Sequence, residues 1–196
     1  MKKGMIAALA LVTIGLVSWK SFESKEAGKK VYQLDQEASS LKWKGSYASD
    51  GHTHEGSVQI TEGSVTYKGT KFEEGSFVVD LNTIKNTDLP DKKKPMLEGH
   101  LKSPDFFNVE KYAKVPVTIT EVTEEGIKAK IMVVGKEIEA TMPVKPMMKD
   151  GMLVASGKFD VDFASTDLNG FKAGEGKPAN QHVNTVISFD LNLVLK

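Results

Sequence analysis

The stretch DGHTHE at residues 50–55 holds the closest grouping of side chains that could do chemistry. On an extended strand, His52 and His54 point to the same side, and a nearby carboxylate could complete a facial metal site. The other interpretation is a polar hairpin tip whose histidines bond locally or face water. The two remaining histidines, His100 and His182, lie far away in sequence. We therefore expect no metal site, with His52 and His54 as the only candidate ligands.

Nucleophilic catalysis finds no support in the sequence. There is no cysteine and no G-x-S-x-G elbow, and the glycine-rich GFKAGEG stretch lacks the ending of a phosphate-binding loop. His100 and Asp105 could act as a general base and the carboxylate that orients it, but the sequence shows no nucleophile for them to activate. A structural role for His100 is the favoured interpretation. We expect no catalytic residue, no cofactor and no enzymatic activity.

Composition narrows the classes of partner. The formal net charge of the 196 residues is zero, which argues against long-range attraction to nucleic acid. Every basic residue is lysine, so bidentate arginine clamps for phosphate or carboxylate are absent. The lack of cysteine also excludes disulfides, thiolate metal sites and lipoprotein acylation.

Residues 1–30 differ from the rest of the chain. Lys2 and Lys3 precede an apolar run at residues 5–19, followed by a polar linker. About 15 apolar residues suit a secretory signal better than a membrane-spanning helix, which needs about 20. We expect a periplasmic or secreted protein, with an uncleaved N-terminal membrane anchor as the alternative.

After residue 30 the chain alternates apolar and polar residues with a period of two. Turn residues separate these runs at short spacing, which is typical of an all-β sandwich or barrel. The predicted strands include residues 76–84, 127–134 and 186–195, and Glu62-Gly63-Ser64 is predicted to be a hairpin turn. Closure into a barrel would remove exposed sheet edges. The alternation does not distinguish a barrel from a two-sheet sandwich, or a hollow interior from a filled one.

The segment MLEGHLKSPDFFNVEKY at residues 96–112 interrupts this pattern. Leu97, His100 and Leu101 lie at i, i+3 and i+4, which predicts a short helix near residues 96–103. Ser103-Pro104 marks a turn, and Phe106-Phe107 in the following loop indicates a segment that folds back over one end of the core.

The run HLKSPDFFNVEKY resembles the signature segment of the YceI-like family, the lipid- or polyisoprenoid-binding, lipocalin-like proteins of bacterial envelopes. The similarity covers residues 31–196. It implies a closed antiparallel lipocalin-like β-barrel of about eight strands, with an elongated apolar pocket. The expected ligand is an amphiphile of the polyisoprenoid or isoprenoid quinone class, bound for sequestration or transport in the cell envelope.

Alternation suggests which side chains would form the wall of such a pocket, although each could equally be packed core. Phe106, Phe107 and four methionines are expected to shape one end. The predicted wall residues are Leu41, Trp43, Val58, Ile60, Phe77, Val79, Phe106, Phe107, Ile119, Ile131, Phe159, Val161, Phe163, Phe189 and Leu191, and the methionines are Met142, Met147, Met148 and Met152.

Two other functions stay open from the sequence alone. One is a small-barrel enzyme with metal or acid–base chemistry near the histidines, and the other is an envelope scaffold without a ligand. Peripheral or anchored membrane association and homodimerisation are likewise left open.

Overall fold

The structure is a computed structural model that describes residues 28–48, 50–166, 168 and 182–196. The predicted signal or anchor lies outside these residues, as does most of the loop between the last two strands. Within the described residues there are ten strands and two short helices, which are in chain order β1 Lys29–Gln33, β2 Ser40–Ser46, β3 Thr53–Lys68, β4 Lys71–Asn86, α1 Lys94–Lys102, α2 Val109–Tyr112, β5 Lys114–Val122, β6 Ile127–Val133, β7 Lys136–Met142, β8 Met147–Lys149, β9 Met152–Asp162 and β10 Val186–Leu195.

One antiparallel sheet contains all ten strands. Nine of the strands follow one another in the order β7-β6-β5-β4-β3-β2-β10-β9-β8, which we call the path of the sheet. The strand β1 is outside this order and pairs with β3. The sheet curls into a half-barrel, so the predicted all-β class is correct. The predicted closed barrel of about eight strands is not confirmed: β7 and β9 approach each other, but no described strand pair joins the two ends of the path.

Alternation along the strands separates a concave apolar face from a convex polar face. In β7, Ile138, Ala140 and Met142 are buried while the residues between them are exposed. A tightly packed core occupies part of the concave side, where Ala129, Val144 and Leu195 are at most 1% exposed. The remaining inward side chains surround a cavity instead of meeting one another.

The longest strands, β3 and β4, correct one prediction. Glu62-Gly63-Ser64 is not a hairpin turn, because β3 runs through it and continues to Lys68. Irregularities in the pairing of β3 with β4 bend the two strands there. Gly63 has a packing role: a Cβ on it would lie 2.1 Å from Cδ1 of Phe77, so the missing side chain lets that ring lie across the strand.

A helical connection crosses from β4 to β5. The predicted helix near 96–103 is present as α1, whose first turn contains Pro95, a residue tolerated at a helix start. After α1, the backbone N–H of Phe107 donates to the carbonyl oxygen of Leu101 at 3.1 Å, which folds the loop back as the aromatic pair indicated. Leu97, His100 and Leu101 all face the cavity, so the i, i+3, i+4 spacing identified the inward face of this helix.

Candidate functional site

A cavity of about 930 Å³ lies between the concave face of the sheet and the helical connection. All fifteen side chains predicted as wall residues line it. They are Leu41, Trp43, Val58, Ile60, Phe77, Val79, Phe106, Phe107, Ile119, Ile131, Phe159, Val161, Phe163, Phe189 and Leu191. The geometry therefore brings these residues together around one hollow, while their role in binding stays a prediction.

Aromatic rings form much of the wall and are fixed by their surroundings. Phe159 and Phe189 of neighbouring strands stack with ring centroids 5.6 Å apart. Trp43 lies against Gly56 of β3, where a Cβ would come within 2.5 Å of the indole ring, and its Nε1–H donates to the carbonyl oxygen of Ser57 at 3.2 Å. These contacts hold large apolar surfaces at the cavity boundary, where a ligand could bury them further.

The helical connection covers one side of the cavity and contributes lining residues that the sequence did not single out. Leu89, Lys93 and Met96 belong to this group. Met96 is 73% exposed although it lines the cavity, so the cavity reaches solvent beside the start of α1.

The prediction that four methionines shape one end is only partly correct. Met142 lines the cavity, whereas Met147 and Met148 lie exposed on the edge strand β8. Met152 begins β9 opposite Lys149 and is also absent from the lining. The short strand β8 carries its methionines to the outside of the sheet, which the sequence pattern did not reveal.

Polar side chains gather at the hairpin between β2 and β3. The rings of His52 and His54 are 4.8 Å apart by their centroids, and the ring of Tyr47 lies 6.1 Å from each. All three line the cavity. In the described part of the chain, no group of three or more histidine, aspartate or glutamate side chains is placed to hold a metal ion. The histidine pair instead meets Asp88, whose Oδ2 is 2.9 Å from Nδ1 of His54.

Asp88 is held by three donors. Its carboxylate accepts hydrogen bonds from the His54 ring, from the backbone N–H of Glu55 at 3.0 Å and from the side-chain amide of Asn86. Burial acts to raise the pKa of Asp88, but these hydrogen bonds outweigh it and lower the pKa to about 2. Asn86 is itself 3% exposed, and its side chain also bonds the carbonyl oxygen of Glu55 and the N–H of Leu89. The carboxylate is therefore ionised and fixed in position.

We expect Asp88 to make stability depend on pH. Its pKa of about 2 lies below the ordinary 3.8, so the unfolded chain takes up the proton first as the pH falls. The contribution is complete above about pH 4 and is lost as the pH falls through 2. Because Asp88 is partly exposed, it should amount to about 1–2 kcal/mol. Urea denaturation from pH 6 to pH 2 should show the deficit of Asp88→Asn shrinking as the pH falls. A deficit of Asp88→Asn that stays constant over this range would contradict the lowered pKa of Asp88.

His100 and Asp105 both line the cavity but do not form the pair considered from the sequence. No hydrogen bond joins their side chains within the described residues. The His100 ring lies edge-on to Phe106 at 6.0 Å, and the backbone carbonyl of His100 accepts a hydrogen bond from the Ser103 hydroxyl at 2.8 Å. These contacts fit the structural role favoured from the sequence.

The comparison with protein families decides the identity of the fold. The model of the YceI-like domain matches residues 32–195. The chain belongs to the YceI-like family. The resemblance carried by HLKSPDFFNVEKY is thus confirmed, and the cavity described above is the interior of a YceI-like domain. No curated protein matches the sequence significantly.

Solved structures share the fold of this YceI-like domain at low sequence identity. BcnA of Burkholderia cenocepacia superimposes with a TM-score of 0.65 at 18% identity, covering 83% of this chain and 99% of BcnA. A polyisoprenoid-binding domain from Saccharophagus degradans, implicated in plant cell wall breakdown, gives a TM-score of 0.61 at 15% identity, covering 84% and 97%. At these identities the likeness establishes the fold alone. Among the described residues, no helix has the length and apolarity to cross a membrane.

Proposed function

We propose that this protein binds a lipid with a long prenyl-like chain inside its cavity and sequesters or carries it in the cell envelope. The observation that carries the proposal is the lining: the strands supply almost only aliphatic and aromatic side chains to a cavity of about 930 Å³. At about 30 Å³ for each water-sized group, that volume matches about thirty such groups, enough for a 20-carbon chain. The polyisoprenoid-binding domain of similar fold supports the choice of ligand class.

Energetics favour a reversible carrier. Each methylene removed from water contributes about 0.8 kcal/mol, so ten of them contribute about 8 kcal/mol before the costs of ordering and association. Such a mechanism needs apolar walls and an opening, and it uses no catalytic residue. The exposed lining residue Met96 supplies the evidence for an opening beside α1.

Export belongs to the same proposal. A lipid carrier of the envelope would use the basic and apolar residues 1–30 as a secretion signal or as an anchor that keeps it near the membrane. Carriage between membranes needs only one chain per lipid, so a monomer is sufficient.

Trp43 provides the test, because its ring lines the cavity. A Trp19→Phe variant leaves Trp43 as the single tryptophan. Titration with geranylgeraniol, a 20-carbon prenyl alcohol, should produce a saturable change in Trp43 fluorescence with a Kd at or below about 1 μM, since the lipid replaces water beside the indole.

Chain length supplies the control for that titration. The 10-carbon alcohol geraniol should bind at least tenfold more weakly, because it buries fewer methylene groups in the cavity. A fluorescence change that never saturates, or that is equal for both alcohols, contradicts binding of the chain in the cavity.

A further inference from the structure

The polar atoms of the cavity lining are unevenly distributed. The strands β4–β10 contribute only apolar side chains. Polar lining residues lie instead on the helical connection, which supplies Lys93, His100 and Asp105, and at the β2–β3 hairpin. At the hairpin, Ser46 lines the cavity together with three ring-bearing residues, which we call the hairpin cluster: Tyr47, His52 and His54. When the chain of a lipid contacts the apolar strands, its polar end could contact the polar side chains of the hairpin cluster.

Backbone hydrogen bonds fix the hairpin cluster. The N–H of Tyr47 donates to the carbonyl oxygen of His52 at 2.8 Å, and Tyr47 also forms an antiparallel bridge with Val183 of the chain segment leading into β10. His54 pairs in register with Gly45 of β2. The hairpin backbone that carries the three rings is therefore fixed before any ligand arrives, which lowers the entropic cost of binding.

Asp88 determines the tautomer of the His54 ring. An ionised carboxylate only accepts hydrogen bonds, so Nδ1 of His54, 2.9 Å from Oδ2, must carry a proton. The remaining nitrogen, Nε2, has no hydrogen-bond partner among the described residues. In a neutral imidazole with this tautomer, Nε2 accepts a hydrogen bond.

From this geometry we infer that the hairpin cluster binds an uncharged, hydroxyl-bearing head group of the lipid, whose O–H donates to Nε2 of His54. The inference rests on the function proposed above and adds the chemistry of the ligand's polar end. A hydrocarbon end would leave Nε2 desolvated and unpaired, which costs free energy. A phosphate end would approach two carboxylates: Asp88 behind His54, and Asp50, whose Oδ1 accepts the backbone N–H of His52 at 2.9 Å.

Three ligands with the same 20-carbon chain test the inference in the Trp43 titration at pH 8, above the usual range of imidazole protonation. They are geranylgeraniol, its methyl ether, which accepts but cannot donate a hydrogen bond, and geranylgeranyl phosphate. We expect the alcohol to bind about tenfold more tightly than the ether and more tightly than the phosphate, in line with one net hydrogen bond. Tightest binding of the phosphate overturns the inference.

Two substitutions locate the effect. His54→Phe keeps a ring at the position and removes Nε2, so the tenfold gap between alcohol and ether should disappear while the affinity for the ether is retained. Asp88→Asn places an amide N–H against Nδ1 of His54, which reverses the tautomer, so Nε2 becomes a hydrogen-bond donor. The alcohol and the ether can both accept a hydrogen bond from Nε2, so the difference between their affinities should shrink to about twofold or less. An undiminished gap in either variant overturns the inference.

His100→Phe is the matched control, since His100 also lines the cavity but belongs to α1 and not to the hairpin cluster. His100→Phe should leave the tenfold difference in affinity between alcohol and ether unchanged. If this difference is lost in His100→Phe and kept in His54→Phe, the head group binds elsewhere and the inference is overturned. Equal binding of alcohol and ether by the unchanged protein refutes the head-group site alone. Failure of all three ligands to bind refutes the proposed lipid binding itself.

Discussion

Replacing Val117 with aspartate is expected to weaken geranylgeraniol binding at least a hundredfold while the protein stays folded. Val117 lies on β5 between Phe77 and Ile131 in the pairing register and lines the cavity. A carboxylate there remains hydrated while the cavity is empty, because the cavity has room for water. A lipid chain would strip that water away, and desolvating an unpaired charge costs well over the roughly 2.7 kcal/mol that corresponds to a hundredfold.

Thr118→Asp is the matched control for that variant. Thr118 is the next residue along β5 and is exposed, so the same charge is introduced on the opposite face of the sheet. Trp43 fluorescence should report unchanged affinity for Thr118→Asp, and far-ultraviolet circular dichroism should be the same for both variants. Equal losses in the two variants, or none in Val117→Asp, would show that the lipid does not bind against this wall.

Replacing Gly56 with alanine is expected to lower the free energy of unfolding by about 3 kcal/mol, at the upper end of what overpacking usually costs. Gly56 pairs with Trp43 on one side and with Asn86 on the other. A Cβ on Gly56 would lie 1.8 Å from the backbone oxygen of Lys85 and 2.5 Å from Cζ2 of Trp43. The backbone oxygen cannot rotate away, so β3 and β4 must separate locally.

Urea denaturation measures this loss, and Gly99→Ala provides the comparison. A Cβ on Gly99, within α1, would meet no atom within 4 Å, so alanine there should raise the free energy of unfolding by up to about 1 kcal/mol through its helix propensity. A loss below 1 kcal/mol for Gly56→Ala would mean that the ring of Trp43 is not packed against this strand as described.

The parts of the fold that depend on local pattern could be predicted from the sequence. The last strand, β10, spans the residues that alternation indicated, and the spacing of Leu97, His100 and Leu101 identified the inward face of α1. Period-two alternation also identified the cavity-facing side chains of the strands, whereas Phe106 and Phe107, which belong to the helical connection, were indicated by their position as an aromatic pair in a loop. Alternation identifies the strand residues because a one-residue shift would move every side chain of a strand to the other face.

Other features depend on tertiary contacts that no local pattern encodes. Glu62-Gly63-Ser64 has the composition of a turn, but Gly63 serves the packing of Phe77 and β3 continues through it. The partner of His54 is Asp88, 34 residues further along the chain, so neither the fixed tautomer nor the role of Asn86 could be anticipated. Closure of the barrel was expected from the need to remove sheet edges, whereas the described strands leave the path open between β7 and β8.

The most direct test of lipid binding in the cavity is native mass spectrometry of the full-length chain after incubation with geranylgeraniol and removal of the excess. We predict one bound alcohol per chain for the unchanged protein and for Thr118→Asp, and none for Val117→Asp. A spectrum in which the unchanged protein retains no lipid, or in which Val117→Asp retains as much as the unchanged protein, would contradict the account.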